Sequence, residues 1–501
     1  MTLPRATPVK RPTPPKPAIA PPSDIMSSMQ SKPLRIPRIL DWIWVIGLMV
    51  YVYAGMPNAT FHPDESQFVY TSNDYWVALV DGHPERLEIN ANTDVENRPE
   101  TLLGTPPYTI DSDAELRLLN GSVNRYAIGF LWEQSGQSRN RLPQAPGWDW
   151  GRTYDENMAK MRPPVGDLLN LARTPSTVFL MLSIPIVWAL GYKGGGRVGA
   201  YLATFLYALN PAILLNGRRT MQEGSMLFFG LFTIYMASYI TSIRARKRSP
   251  GSMNWLIFCA SAVLALASKH TGVIFVAAAF GWLVAADLTR LTTRVFFGLS
   301  GWVFAVPALL VLIIGGFIAL SPGLWSNPIT RALDLVQLRS DLLNLQSELF
   351  PTTVLQTPDD RINAIFSQPF TTPLMHFEAP SWGEVPAVQD EIAAYENSGL
   401  NGIAWGEAGI FPTLLALIGF LLALFRLREQ DIQGRAFSMG MIVWSLVTVL
   451  ALTYNPLNWQ RYYLPLIPVA GLLAGCAIGY LLKPREQKDF LTTSAAIQQY
   501  S

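Results

Sequence analysis

Cysteine is almost missing from this chain of 501 residues, which holds only Cys259 and Cys476. Both lie inside apolar stretches, so a disulfide is not expected and the redox compartment is left open. Charge is scarce as well, at 15% of residues, and the formal balance of +2 points to no class of partner. A Walker loop, a dinucleotide fingerprint, a Cys-rich metal motif and an internal repeat are all missing. Nucleotide hydrolysis and nucleic-acid binding therefore find no support.

What the chain has instead is apolar sequence. Half of the residues are hydrophobic, and they fall in long blocks rather than along amphipathic elements, which marks a multispan membrane protein. A helix needs about 20 largely apolar residues to cross the hydrocarbon core. Ten stretches qualify as expected spans, roughly 39–56, 174–191, 198–216, 221–243, 254–268, 271–289, 296–320, 408–425, 436–453 and 462–482. The fifth and sixth are parted only by Ser268-Lys269-His270. Merged, they would exceed what helix tilt accommodates, so they are read as two.

Basic residues test the count, because Lys and Arg concentrate in short cytoplasmic loops. They cluster at Arg35 and Arg38, Lys193 and Arg197, Arg244 to Arg248, Arg290 and Arg294, Arg426 to Arg435, and Lys483 and Arg485. Every second loop is basic, which fits ten spans with both ends in the cytoplasm. The expected fold is an all-α polytopic membrane protein whose two external loop regions form a small mixed domain over the membrane. Its parts are a disordered Pro-rich basic tail over 1–38, a transmembrane core over 39–325 with a first external loop at 57–173, a second loop at 321–407, C-terminal helices over 408–482 and a tail at 483–501. The first tail, with ten prolines, suits contact with anionic membrane lipid. No cleaved signal peptide is expected, since the apolar stretch begins late and no small-residue cleavage site follows it.

Both external segments are rich in Trp, Pro and acidic residues, and connectors of that length are usually functional or disordered. In the second, Leu335, Leu338, Leu342, Leu345 and Leu349 recur at spacings of three and four, the pattern of an amphipathic helix. It is suited either to the bilayer surface or to packing within the external domain.

Four polar patches share the external side under this topology: His62-Pro63-Asp64-Glu65, Arg218-Arg219 with Glu223, Lys269-His270, and Gln460-Arg461-Tyr462-Tyr463. Each has an ordinary reading. Asp64 and Glu65 after Pro63 suit a helix start, the arginines suit snorkelling interface residues, and Arg461 with its tyrosines suits an interfacial anchor. Together, acids and bases converging near a bilayer surface suit an amphipathic anionic substrate such as a lipid phosphate.

The run Ala172-Arg173-Thr174-Pro175-Ser176, then Asn210-Pro211, Arg218-Arg219-Thr220-Met221-Gln222-Glu223 and Phe228-Phe229 resembles the core of the C-type membrane glycosyltransferases, in particular the protein O-mannosyltransferase and aminoarabinose transferase branch. Asp64-Glu65, Ser268-Lys269-His270-Thr271-Gly272 and Arg461-Tyr462-Tyr463-Leu464-Pro465 are similar to that family's other landmarks, in its order. The resemblance covers about 39–325 and 436–482; the stretch Pro358–Trp405 departs from it.

The resemblance implies transfer of a sugar from a polyprenyl-phosphate donor to a protein, lipid or glycan acceptor on the outer side of the membrane, with inversion at the anomeric carbon. By position, Asp64 would be the general base, with Glu65 beside it as a second acid at the catalytic position and Glu223 as a supporting acid. Lys269, Arg461, Arg218 and Arg219 would bind the donor phosphate, with His62, His270 and Tyr462 as further candidates. No cofactor is required; a divalent cation between His62, His270 and the acids stays open. The chemistry fits these residue types, because a phosphate leaves as a stable anion and needs only one base and cations, not a glycosidase's acid pair. A flippase or exporter of a lipid-linked sugar would also need an anion-binding mouth, but transporters usually keep their site near the midplane and show repeated halves. A bacterial plasma membrane with the active site facing outside is the expected location.

Overall fold

The chain is described by a computed structural model, which covers residues 38–88, 113–143, 148, 152–160, 164–288, 298–429 and 431–482. The expected tails lie outside the described residues apart from Arg38, as do Arg290, Arg294, Lys483 and Arg485. By compactness the chain divides after Ile43. The first unit contributes only the opening turns of α1 (Arg38–Ala54); the second holds everything below.

Between α1 and the next apolar helix lie α2 (Asp64–Thr71), α3 (Asp113–Leu119), α4 (Ser122–Gln134) and α5 (Tyr154–Lys160). The apolar core continues with α6 (Gly166–Ala208), α7 (Pro211–Arg218), α8 (Glu223–Ala245), α9 (Ser252–Ser268), α10 (Val273–Leu288) and α11 (Gly298–Ala319). A second long segment carries α12 (Pro328–Leu349), α13 (Pro358–Ser367) and α14 (Pro386–Asn397), and the chain closes with α15 (Ile410–Arg426), α16 (Ile432–Thr453) and α17 (Leu466–Leu481).

Every apolar stretch read from the sequence coincides with helix. By length and composition five helical stretches can cross a bilayer: Gly166–Ala208, Glu223–Ala245, His270–Asp287, Gly406–Arg426 and Ile432–Thr453. Ser252–Ser268, Ala305–Ala319 and Leu466–Leu481 are shorter apolar helices. The separation of the fifth and sixth stretches is visible, because Lys269 is extended at φ −155°, ψ 139° and a 3-10 turn at His270–Gly272 follows it.

α6 contains two arms. Gly196 breaks it at φ 65°, ψ −161°, a region open essentially to glycine alone. A Cβ on Gly191 would lie 2.9 Å from Ala200 Cα, whereas nine residues of straight helix would span about 13 Å. The chain therefore doubles back at Gly196. α17 packs into this hairpin at backbone contact, since a Cβ on Gly479 would meet Gly195 O at 1.9 Å and one on Gly475 would meet Gly199 O at 2.4 Å. Small residues permit such approach where no hydrophobic drive separates helix from lipid.

The two long segments differ from the expected mixed domain. Their described parts are short helices and 3-10 turns, and the one β interaction among the described residues is the isolated bridge Val354–Leu457. Local signals explain this: Pro328, Pro358 and Pro386 each open a helix, and Thr357 with Asp360 forms a capping box, all features that start helices and interrupt ladders. The leucine ladder is α12, and of the two settings it suited, packing is the one its inner face takes. Leu338 and Leu345 are buried against Leu118 and Leu119 of α3 and Leu324. The other face leaves Ile329, Leu333 and Val336 exposed.

Candidate active site

The site begins where α2 does. Asp64 and Glu65 occupy its first turn, and neighbouring positions on a helix point about 100° apart. The two acids consequently have different surroundings.

Glu65 is wholly buried. Its oxygens accept from Arg173 Nε and Nη2, each at 2.8 Å, from the Thr220 amide at 2.7 Å and from the His62 amide at 2.9 Å. Burial pushes its carboxyl up, but the Arg173 charge and hydrogen bonds outweigh that and hold it below the usual carboxylate value. With its lone pairs occupied in this way, Glu65 joins α2 to α6 and to the turn before α8, and it does not line the cavity described next.

Asp64 does line it. A cavity of about 330 Å³ opens between α2, α3, the start of α8, α12 and the segments carrying Glu378 and Arg461, a size within the range of small-molecule sites. Arg461 Nη1 donates to Asp64 Oδ2 at 2.8 Å, and Arg461 Nε stands 3.0 Å from Glu378 Oε1. The guanidinium also lies over the rings of Trp459 and Tyr462, 5.4 and 5.7 Å from their centroids, which are themselves stacked. A planar cation between carboxylates and aromatic faces is held in one orientation.

Glu378 is held from its other oxygen. His62 Nε2 is 2.7 Å from Glu378 Oε2, while the Asp64 amide donates to His62 Nδ1 at 3.1 Å. That pair of contacts assigns the ring proton to Nε2. Burial raises the Glu378 carboxyl, yet Arg461 and His62 bring it well below the ordinary range. His62 is thus a link between α2 and Glu378, not a lining residue.

Across the cavity, Lys269 Nζ is 2.5 Å from Glu223 Oε1 at the start of α8 and 5.9 Å from the centroid of Tyr462. Burial lowers the lysine's affinity for its proton and Glu223 opposes that effect. The second Glu223 oxygen is enclosed without a hydrogen-bond partner. Tyr462 OH reaches Gln346 of α12 at 3.3 Å.

The structure removes Arg218 and Arg219 from the set expected at the phosphate. Arg218 donates to the carbonyls of Tyr51 and Val52 at 2.8 Å and to that of Leu400. It caps the orphan carbonyls at the end of α1, and Gly55 leaves room for it, since a Cβ there would sit 2.3 Å from Arg218 Cζ. Arg219 donates to Thr60 O at 3.0 Å, Thr60 Oγ1 at 2.8 Å and His376 O at 2.7 Å. Both guanidiniums are buried and serve as clamps between segments. His270 lies behind the cavity wall, 3.3 Å from Arg339 Nη2. Among the described residues no group of three His, Cys, Asp or Glu side chains is placed to hold a metal ion.

Three contributors escaped the sequence reading. Arg173 stood in the quoted run without a role. Glu378 lies in the stretch that resembled nothing, with no periodicity to distinguish it. Arg339 follows Leu338 at the edge of the leucine stripe, and that position was the available signal, because a cation there faces whatever the stripe faces.

Comparison with known proteins places this geometry. Residues 155–325 match the family model for dolichyl-phosphate-mannose-protein mannosyltransferase, which bears out the resemblance read from the sequence over that region. A search of curated proteins finds no significant match. Among solved structures, similar ones include ArnT from Cupriavidus metallidurans bound to undecaprenyl phosphate, at 13% identity and TM-score 0.47, covering 92% of this chain and 64% of that one. The protein O-mannosyltransferase Pmt1-Pmt2 complex of S. cerevisiae with its sugar donor gives 14%, 0.34, 56% and 33%. The archaeal oligosaccharyltransferase AglB from Archaeoglobus fulgidus with an inhibitory peptide and dolichol-phosphate gives 11%, 0.43, 92% and 52%. The chain spans less than two thirds of the length of each.

Proposed function

We propose that this chain is a membrane glycosyltransferase that moves a sugar from a polyprenyl-phosphate carrier to an acceptor hydroxyl, with Asp64 as the base. The observation that carries the reading is the convergence on one cavity of Asp64, Arg461 and Lys269, drawn from three distant parts of a chain whose middle third matches a family named for a lipid-phosphate sugar donor. Lys269 and Arg461 are the donor-phosphate ligands, and Glu223 sets the position of Lys269 at 2.5 Å.

In this mechanism the acceptor oxygen attacks the anomeric carbon as the Asp64 carboxylate takes its proton. The new carbon–oxygen bond forms while the bond to the phosphate oxygen breaks, and the phosphate departs with the electron pair. Attack opposite the leaving group inverts the anomeric centre. Cations near the phosphate stabilise the charge that develops there, and no acid is needed to protonate it. The ten-span topology with both ends in the cytoplasm would put the cavity on the outer side of a bacterial plasma membrane, with the carrier's chain in the bilayer. The domain division at 57–173 and 321–407 belongs to the same proposal, as do a protein, lipid or glycan acceptor and the absence of a required metal.

The test is transfer of radiolabelled sugar from a polyprenyl-phosphate donor panel to endogenous acceptors, in membranes holding the native chain or Asp64→Asn at equal expression. Label incorporated by the native chain and lost in the variant is the expected result. Full incorporation by the variant would remove Asp64 from the chemistry.

A further inference from the structure

The cations at the cavity are not equivalent. Arg461 already faces two carboxylates, at 2.8 and 3.0 Å, and Lys269 faces Glu223 at 2.5 Å. Arg339, projecting from α12 into the same wall, has no carboxylate within ion-pair distance among the described residues. Its Nη2 donates to the Leu119 carbonyl and stands 3.3 Å from His270 Nδ1. Its Nε is enclosed and unpartnered. Burial and the neighbouring Arg461 both work against its charge.

A guanidinium cannot shed its proton in a protein, and a cation withdrawn from water without an opposite charge is costly. An arriving anion would relieve that cost. We propose that Arg339 is the principal anchor of the phosphate headgroup that enters this cavity, with Arg461 and Lys269 in supporting places. The inference rests on the transferase reading for the identity of the ligand, and on the charge inventory for the identity of the residue.

The chemistry sharpens the assignment. A sugar phosphodiester carries one negative charge, and the departing phosphate monoester carries more. The positive charges of Arg461 and Lys269 are already balanced by protein carboxylates, whereas that of Arg339 is available to the charge that develops on the leaving oxygen. Its fork of donors also suits two phosphate oxygens at once. Arg339 thereby ties α12 to the core through the ligand, beside the leucine face that packs on Leu118 and Leu119.

The experiment uses the full chain in detergent and reads thermal unfolding against rising farnesyl phosphate, farnesol or inorganic phosphate. In the native chain farnesyl phosphate is expected to raise the melting temperature well beyond farnesol or inorganic phosphate. Arg339→Gln is expected to weaken apparent affinity for farnesyl phosphate about tenfold or more, as loss of a charge-assisted hydrogen bond does. The melting temperature without ligand should not fall, because an uncompensated charge has been removed. Arg339→Lys, which keeps the charge but not the fork, should lie between. Lys269→Gln should lose less affinity than Arg339→Gln. Affinity within twofold of native in Arg339→Gln, or a larger loss in Lys269→Gln, would overturn the assignment. Equal stabilisation by inorganic phosphate would overturn the lipid headgroup as the ligand. Binding is read without turnover, so this result and the Asp64→Asn transfer assay can fail separately.

Discussion

Arg461 stands 2.8 Å from Asp64 although 397 residues separate them, and the same guanidinium meets Glu378 at 3.0 Å. One cation thus closes the N-terminal acid, the second long segment and the turn before the last helix into a single site.

Glu378 acts through that cation, fixing Arg461 on one side and His62 on the other. Glu378→Gln should lower transfer about tenfold to a hundredfold, the cost of a misplacement near 1 Å, and Glu378→Asp should recover part of it. Initial rates at low and saturating donor would decide; native rates in Glu378→Gln would show that Arg461 needs no second carboxylate.

The pair Glu65–Arg173 is expected to be structural. Removing one member of a buried pair costs about 3–5 kcal/mol because the other charge is stranded. Glu65→Leu should therefore unfold at a much lower temperature than native, and Glu65→Leu with Arg173→Leu should regain part of the loss. The depressed carboxyl of Glu65 gives stability that is present above its unfolded value of 4.5 and lost as pH falls through the lower folded value. A Glu65→Gln protein that melts normally yet fails to transfer sugar would return Glu65 to the chemistry.

His376 supplies a second pH dependence. Burial, helped by Arg219, brings its imidazole down from 6.5 to about 4. Between those values the unfolded chain binds a proton that the folded chain does not, so stability falls as pH drops from 6.5 to about 4 and levels off below. The size is about 1–3 kcal/mol at one pH unit per 1.36 kcal/mol, reduced for partial solvent access. His376→Gln should flatten the melting temperature across that window; an unchanged slope would place the titration elsewhere.

The hairpin in α6 turns on Gly196. A Cβ there meets nothing within 4 Å, so Gly196→Ala tests backbone strain alone and should cost about 1–3 kcal/mol. Gly479→Ala tests packing instead, because its Cβ would meet the Gly195 carbonyl carbon and oxygen within 2.5 Å, and backbone cannot yield as a side chain does. The second variant should melt lower than the first. The reverse order would mean that α17 can shift on the hairpin.

The sequence by itself determined the apolar helices, the break at Lys269, the leucine face of α12 and the start of α2, because each rests on local periodicity or on a residue whose backbone preferences act within a few positions. It also brought forward Asp64, Lys269, Glu223, Arg461 and Tyr462, all of which line the cavity. Only the tertiary structure decided how the charges are shared. Whether Arg218 and Arg219 face a ligand or clamp carbonyls, whether Glu65 points with Asp64 or away from it, and whether Arg339 has a counter-charge all depend on which distant segment supplies the partner. Burial and pairing are set by packing across hundreds of residues, and a local pattern carries no record of what lies on the far side of a side chain.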